Sequence, residues 1–199
     1  MLSTIDKALR TVVDKLALAV GWILLGLAAV TSIETLLRKF FQISVQGIDE
    51  YGGYVLAVIS GVGFTYALLL RGHIRIDAVV RLLPRQWRSC SDIVAIITLG
   101  FYAFMMMIAT VWLVAESWQL DARAVSPLQT PLIWPQGFWL ACLVLFVFSC
   151  AIIAMRALIA ATRRDWDGVA RAAGIPDIDE EVSAEISAVR QRLDQHTPP

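Results

Sequence analysis

The chain reads as an all-α integral membrane protein of four transmembrane helices, and three observations carry that reading. Of its 199 residues, 58% are hydrophobic and 17% charged, against about 45–50% apolar and about 25% charged in an ordinary soluble domain. Its mean hydropathy is +0.67. Its apolar residues also fall into four blocks, each as long as the roughly 20 residues that cross a bilayer at about 1.5 Å per residue. Hydrocarbon offers no partner to a backbone N–H or C=O, so such blocks form helices, which satisfy those groups internally.

Residues 1–15 precede the first block. Ile5, Leu9, Val12 and Leu16 recur at helical spacing, which predicts an amphipathic cytoplasmic lead-in lying at the membrane interface and feeding the first span. It does not read as a cleavable signal, because the apolar run is longer than a signal core and Asp6 and Asp14 dilute the basic flank.

The membrane domain covers residues 16–161, with spans over about 16–37, 51–70, 93–115 and 132–155. The first carries one charge, Glu34, about a turn from its outer end. A carboxylate at that depth is expected to reach the interface and pair with Arg38, one turn on and on the same face. The second is uncharged and places Gly53, Ala57 and Gly61 four apart, a nearly flat stripe along which another helix can approach closely. Whether that helix belongs to this chain or to a partner stays open. Asp49 and Glu50 stand at its N-terminus, where negative charge meets the positive end of the helix dipole. The third and fourth spans are uncharged. Pro127, Pro131 and Pro135 punctuate the outer loop and the start of the fourth helix, where a missing N–H costs least.

Residues 162–199 form a polar cytoplasmic tail. Within it Ile178, Val182, Ile186, Val189 and Leu193 predict a short amphipathic helix capped by Asp179.

Orientation follows from the basic residues flanking the spans. With the N-terminus inside, Lys7, Arg10, Lys15, Arg71, Arg75, Arg81, Arg85, Arg88, Arg156, Arg163, Arg164 and Arg171 lie on the inner side. Only Arg38, Lys39 and Arg123 lie outside. Twelve against three predicts both termini in the cytoplasm. Trp87, Trp112, Trp118, Trp134, Trp139 and Trp166 lie near predicted span ends, where a half-solvated ring anchors a helix.

No catalytic chemistry is legible. Total charge is balanced, 17 basic against 17 acidic residues, which gives no support to nucleic-acid binding. Cys90, Cys142 and Cys150 form no CxxC pair, and the last two read as small apolar residues packed between helices. The histidines, His73 and His196, lie outside the spans, so axial ligation of a haem inside them is not expected. No metal cluster, nucleophile–base pair or cofactor motif is present, and Met105, Met106 and Met107 spray around their helix as packing filler or lipid contacts. The spans show no inverted repeat of the kind from which many carriers are built.

The densest stretch runs from Gly47 to Pro84. It holds the acidic entry, the stripe, a glycine stop, the basic collar RGHIRID over residues 71–77, and a short apolar turn closed by Leu83–Pro84. At these residues the sequence resembles the small (DctQ-type) membrane subunit of tripartite ATP-independent periplasmic (TRAP) transporters. The Asp49–Glu50 pair, the collar with its x5–LP extension, and the SPL…P stretch from Ser126 to Pro135 carry the likeness, which extends from about Leu16 to Ala161. His73, Ile74, Arg75, Ile76 and Asp77 form its most specific core.

The resemblance implies a small permease subunit of the bacterial inner membrane. It would brace the scaffold of a large membrane subunit during cation-coupled uptake of a small organic acid. A periplasmic solute-binding protein would be met through the assembled complex. On that reading Asp49, Glu50, Gly53, Ala57, Gly61, Arg71, His73, Arg75 and Asp77 are candidates for contact with the partner. The competing readings are a membrane anchor for a redox complex and a free-standing small channel or carrier.

Overall fold

A computed structural model describes residues 2–44, 47–71, 84–126 and 128–174, together with 186, 187 and 189. Among the described residues lie four long helices and one short one: α1 (Leu2–Phe41), α2 (Ile48–Leu69), α3 (Arg85–Gln119), α4 (Ile133–Thr162) and α5 (Trp166–Ala173). The first four are each long and apolar enough to cross a membrane. The α1 helix has 40 residues, so at about 1.5 Å per residue it is about 60 Å long, twice a bilayer's hydrocarbon thickness. The amphipathic lead-in and the first span are therefore one unbroken helix, with no joint at residue 15.

The helices form a row rather than a closed bundle. The α1 helix packs on α2, α2 on α4, and α4 on α3, while α5 lies across the ends of α3 and α4. Sequential neighbours α2 and α3 are thus separated by α4. The spans do not share burial equally. Along its most apolar stretch α1 has 6% of residues buried, against 33% for α4, so α1 is the outer plank of the row and α4 its interior. Trp22, Phe40, Phe101, Trp112 and Phe148 all stand exposed, as expected of faces turned to an apolar surrounding.

A cluster of buried apolar residues lies toward the basic end of the row, which carries Arg10, Arg71, Arg156 and Arg163. Leu9 and Val13 of α1 meet Leu68 and Leu69 of α2, and these join Ile96 and Ala103 of α3 and Phe146, Cys150, Ile152 and Ile153 of α4. Small residues permit the close approaches here. A Cβ on Gly100 of α3 would lie 3.3 Å from that of Cys150, so Cys150 packs between helices as its apolar setting predicts.

Helix ends reveal what pattern reading misses. A left-handed residue follows each long helix, and in every case it is not glycine: Gln42, Arg71, Asp121 and Arg164 have φ of 55°, 57°, 45° and 55°. Glycine is the usual residue there because a Cβ costs roughly 1–2 kcal/mol in that region. The α2 helix turns at Arg71, whose N–H donates to the Leu68 carbonyl at 3.1 Å; the expected glycine stop, Gly72, lies outside the described residues. After α4 and α3 the corresponding turns are closed by backbone bonds: Asp165 N–H donates to the Ala160 carbonyl at 3.0 Å, and Ala122 N–H to the Ser117 carbonyl at 3.0 Å.

The predicted tail helix at Asp179 falls mostly outside the described residues; Ile186 and Val189, which are described, are exposed. Within the tail the chain forms α5, earlier than the sequence pattern suggests.

Candidate functional site

Every described candidate residue lies on or just beyond α2, which has α1 on one flank and α4 on the other. The helix offers three distinct surfaces along its length: a polar latch at the hairpin end, a small-residue seam in the middle, and an arginine at the basic end.

The latch begins with Gly47. Its φ is 95°, a conformation that favours glycine, and a Cβ there would press on the Leu128 side chain. Leu128 belongs to the connection between α3 and α4, which folds back on itself. Arg123 and Pro131 form an antiparallel bridge, Ala124 N–H donates to Thr130 at 2.9 Å, and Leu132 N–H to Ala122 at 3.0 Å. This hairpin sits on the start of α2 and is pinned by Glu50. The Glu50 carboxylate accepts a hydrogen bond from Tyr54 Oη at 2.6 Å and another from Ser126 Oγ, with the Thr130 side chain beside it. Asp49 is exposed and takes no part in the latch among the described residues. The dipole argument applies to both acids, but only Glu50 also reaches across the fold.

Glu34 behaves as expected of a shallow membrane carboxylate. It is buried and pairs with Arg38 at 3.5 Å, while Ser44 Oγ donates to it at 3.2 Å.

The seam divides the Gly53–Ala57–Gly61 stripe in two. At Gly61 the helices nearly touch: a Cβ would lie 2.5 Å from Cys142 Cβ and 3.3 Å from Trp139 Cε3 of α4. Trp139, an expected interface anchor by position, instead meets Phe64 edge-on with ring centroids 6.3 Å apart. Toward the hairpin end α2 and α4 part. A Cβ on Gly53 would meet nothing within 4 Å. Gly53, Ala57, Ser60, Gln136 and Trp139 line an open groove of about 510 Å³. On another side of α2 a more enclosed cleft of about 370 Å³ runs between α1, α2 and α4, walled by Tyr51, Tyr54, Trp134 and Phe138.

At the basic end Arg71 Nη2 donates to the carbonyl of Arg171 in α5, and Arg10 Nη1 of α1 donates to the Leu69 carbonyl at 3.2 Å. His73, Arg75 and Asp77 lie outside the described residues.

Comparison with protein families places this geometry. Residues 27–164 match the model described as "Tripartite ATP-independent periplasmic transporters, DctQ component". The chain belongs to the DctQ family. No curated protein and no solved structure matches it. A DctQ component is a subunit of a transporter of the inner membrane, and the family is not one of enzymes. The match takes in Glu34, the latch, the seam and Arg71, and stops one residue short of the Asp165 that caps α5.

The helix-dipole pattern marks Glu50 but not its partners, Ser126 and Tyr54. The Tyr54 contact was accessible, since residues one turn apart on a helix are neighbours. The Ser126 contact spans 76 residues of sequence and had no local signal. If the latch acts as a unit, Glu50→Gln and Ser126→Ala will each lower the melting temperature of the purified chain, and the double change will lower it scarcely further. Fully additive losses in that cycle would show that the two groups stabilise the fold independently.

Proposed function

We propose that this DctQ component braces the static scaffold of a large membrane subunit, with both of its own termini in the cytoplasm. The assembled transporter then imports a small organic acid with a cation and receives it from a periplasmic solute-binding protein. The observation that carries this reading is the open row. A plank whose α1 is 6% buried along its most apolar stretch, and whose α2–α4 seam opens into a groove at Gly53 and Ala57, offers long faces to another membrane protein. Small residues at such a face let backbones approach, which is how helices associate where lipid removes the hydrophobic drive. Several buried polar side chains of the described spans are engaged within the chain: Glu34 is paired with Arg38, and Thr110 and Ser149 donate to carbonyls of their own helices, while Thr65 Oγ1 and Gln136 Oε1 have no partner among the described residues. Asp49, Glu50, Gly53, Ala57, Arg71, His73, Arg75 and Asp77 remain the proposed contact residues on this reading, whereas Gly61 is taken up by Cys142 and Trp139 of this chain's own α4.

The test is co-purification with a tagged large membrane subunit of a TRAP transporter, followed by uptake in liposomes. Ala57→Leu fills the groove and should reduce recovery of the large subunit about tenfold, equivalent to about 1.4 kcal/mol. The chain reconstituted alone should give no uptake. Uptake without a second chain would overturn the bracing role. Reporter fusions at Ser126 and after Arg171 should report periplasm and cytoplasm, and the reverse pattern would overturn the orientation.

A further inference from the structure

We propose that α5 is a clasp that holds the basic ends of α2, α3 and α4 in register, so that the working membrane domain ends near Gly174 rather than at the close of α4. The inference uses only this chain's own contacts and stands apart from the proposed bracing role.

An open row has a mechanical weakness that a closed bundle lacks. The α2 and α3 helices pack chiefly through α4, and within hydrocarbon helices attract one another only through close packing and polar contacts. The ends of such a row can splay unless something crosses them. The α5 helix crosses them. It packs on both α3 and α4, its Val169 is fully buried, and its Ala173 rests on the apolar core. The link to α2 comes from Arg71, whose left-handed φ of 57° ends that helix and whose guanidinium donates to the Arg171 carbonyl. One short helix thereby joins three spans.

The turn that delivers α5 is itself well specified. Arg164 has φ 55°, Asp165 N–H returns to the Ala160 carbonyl at 3.0 Å, and Asp165 Oδ1 accepts from Gly168 N–H at 2.8 Å as the N-cap. A Cβ on Gly168 would lie 3.1 Å from that of Ala160, so α5 approaches α4 closely. Arg171 Nη2 lies 3.6 Å from Asp165 Oδ2 and ties the far end of the helix to its cap. With 8 residues, α5 is shorter than the roughly 12–15 that sustain an isolated helix in water. Its helicity depends on this docking. The family match ends at residue 164, so nothing in family membership requires the clasp.

The test reads the separation it maintains. Spin labels on native Cys90, exposed at the basic end of α3, and on Leu70→Cys, exposed at the end of α2, report the distance between two spans that the clasp joins. Cys142→Ala and Cys150→Ala remove the competing thiols. The full chain and a chain ending at Gly174 should give the same single narrow distance distribution. A chain ending at Arg164, and Val169→Asp in the full chain, should lose that peak to a broad distribution, with Arg71→Ala showing a partial loss. Where the shortened chain fails to accumulate in membranes, the two point changes decide. A distribution left narrow by both Val169→Asp and Arg71→Ala overturns the proposal.

Discussion

Gly61→Leu is expected to separate α2 from α4 and to be among the most damaging single substitutions in this protein. The reason is where the displaced atoms would go. A Cβ at Gly61 would lie 2.5 Å from Cys142 Cβ, an atom attached directly to backbone that cannot rotate away. Overpacking a well-packed site costs about 1–3 kcal/mol when side chains can shift; here the backbones themselves must part, and a leucine should exceed that range. Gly63 provides the control, since it is exposed and a Cβ there meets nothing within 4 Å. Thermal unfolding in detergent should show a large fall for Gly61→Leu and little change for Gly63→Leu. The double change Gly61→Ala with Cys142→Gly exchanges the two Cβ atoms and should recover most of what Gly61→Ala alone loses. Equal falls at positions 61 and 63 would mean that leucine in the helix, rather than the contact, is responsible.

That contrast also marks how far the sequence carries. The stripe Gly53–Ala57–Gly61 is visible as a pattern, and so is its physical use, but spacing alone leaves open which helix uses it. The structure divides it, with Gly61 against Cys142 and Gly53 and Ala57 along an open groove. The four spans are legible because twenty uncharged apolar residues have few alternatives to a membrane helix. Their order in space is not, because lipid-facing and helix-facing positions are both apolar and the 3.6-residue period loses contrast. Boundaries suffer for another reason: Gln42, Arg71, Asp121 and Arg164 take left-handed conformations where glycine would have announced the stop. The α5 helix is not legible in the sequence, because a helix of 8 residues offers a single buried valine and an Asp165 cap, too little periodicity to stand out from a polar tail. Ser126 stands in the SPL…P stretch with no local mark of a partner, because its bond to Glu50 depends on how a hairpin folds back on a distant helix.

The first helix supplies the second large effect, at two adjacent valines. Sequence periodicity puts Ile5, Leu9, Val12 and Leu16 on one face and sends that face into the membrane interface. In the folded chain the apolar surface of α1 divides differently: Leu9 and Val13 are buried at 7% and 0% exposure, while Val12 is 50% exposed and Leu16 37%. The buried pair packs with Leu68 and Leu69 of α2, beside the bond from Arg10 to the Leu69 carbonyl. Protein packing and lipid contact therefore predict opposite outcomes for one substitution made at each site. If packing on α2 governs, Val13→Asp puts an unpaired carboxylate into a closed apolar contact and should cost about 3 kcal/mol or more. Val12→Asp, one position away among exposed Asp14 and Lys15, should then stay within about 0.5 kcal/mol, as surface changes usually do. If lipid contact governs, Val12→Asp is the costly change and Val13→Asp is mild. Thermal unfolding of both variants in one lipid composition separates the two cases, and protease access to Lys7 and Arg10 adds a local readout. Those sites should open in Val13→Asp while α1 remains inserted, because the charge acts on the junction between α1 and α2 and leaves the span itself untouched.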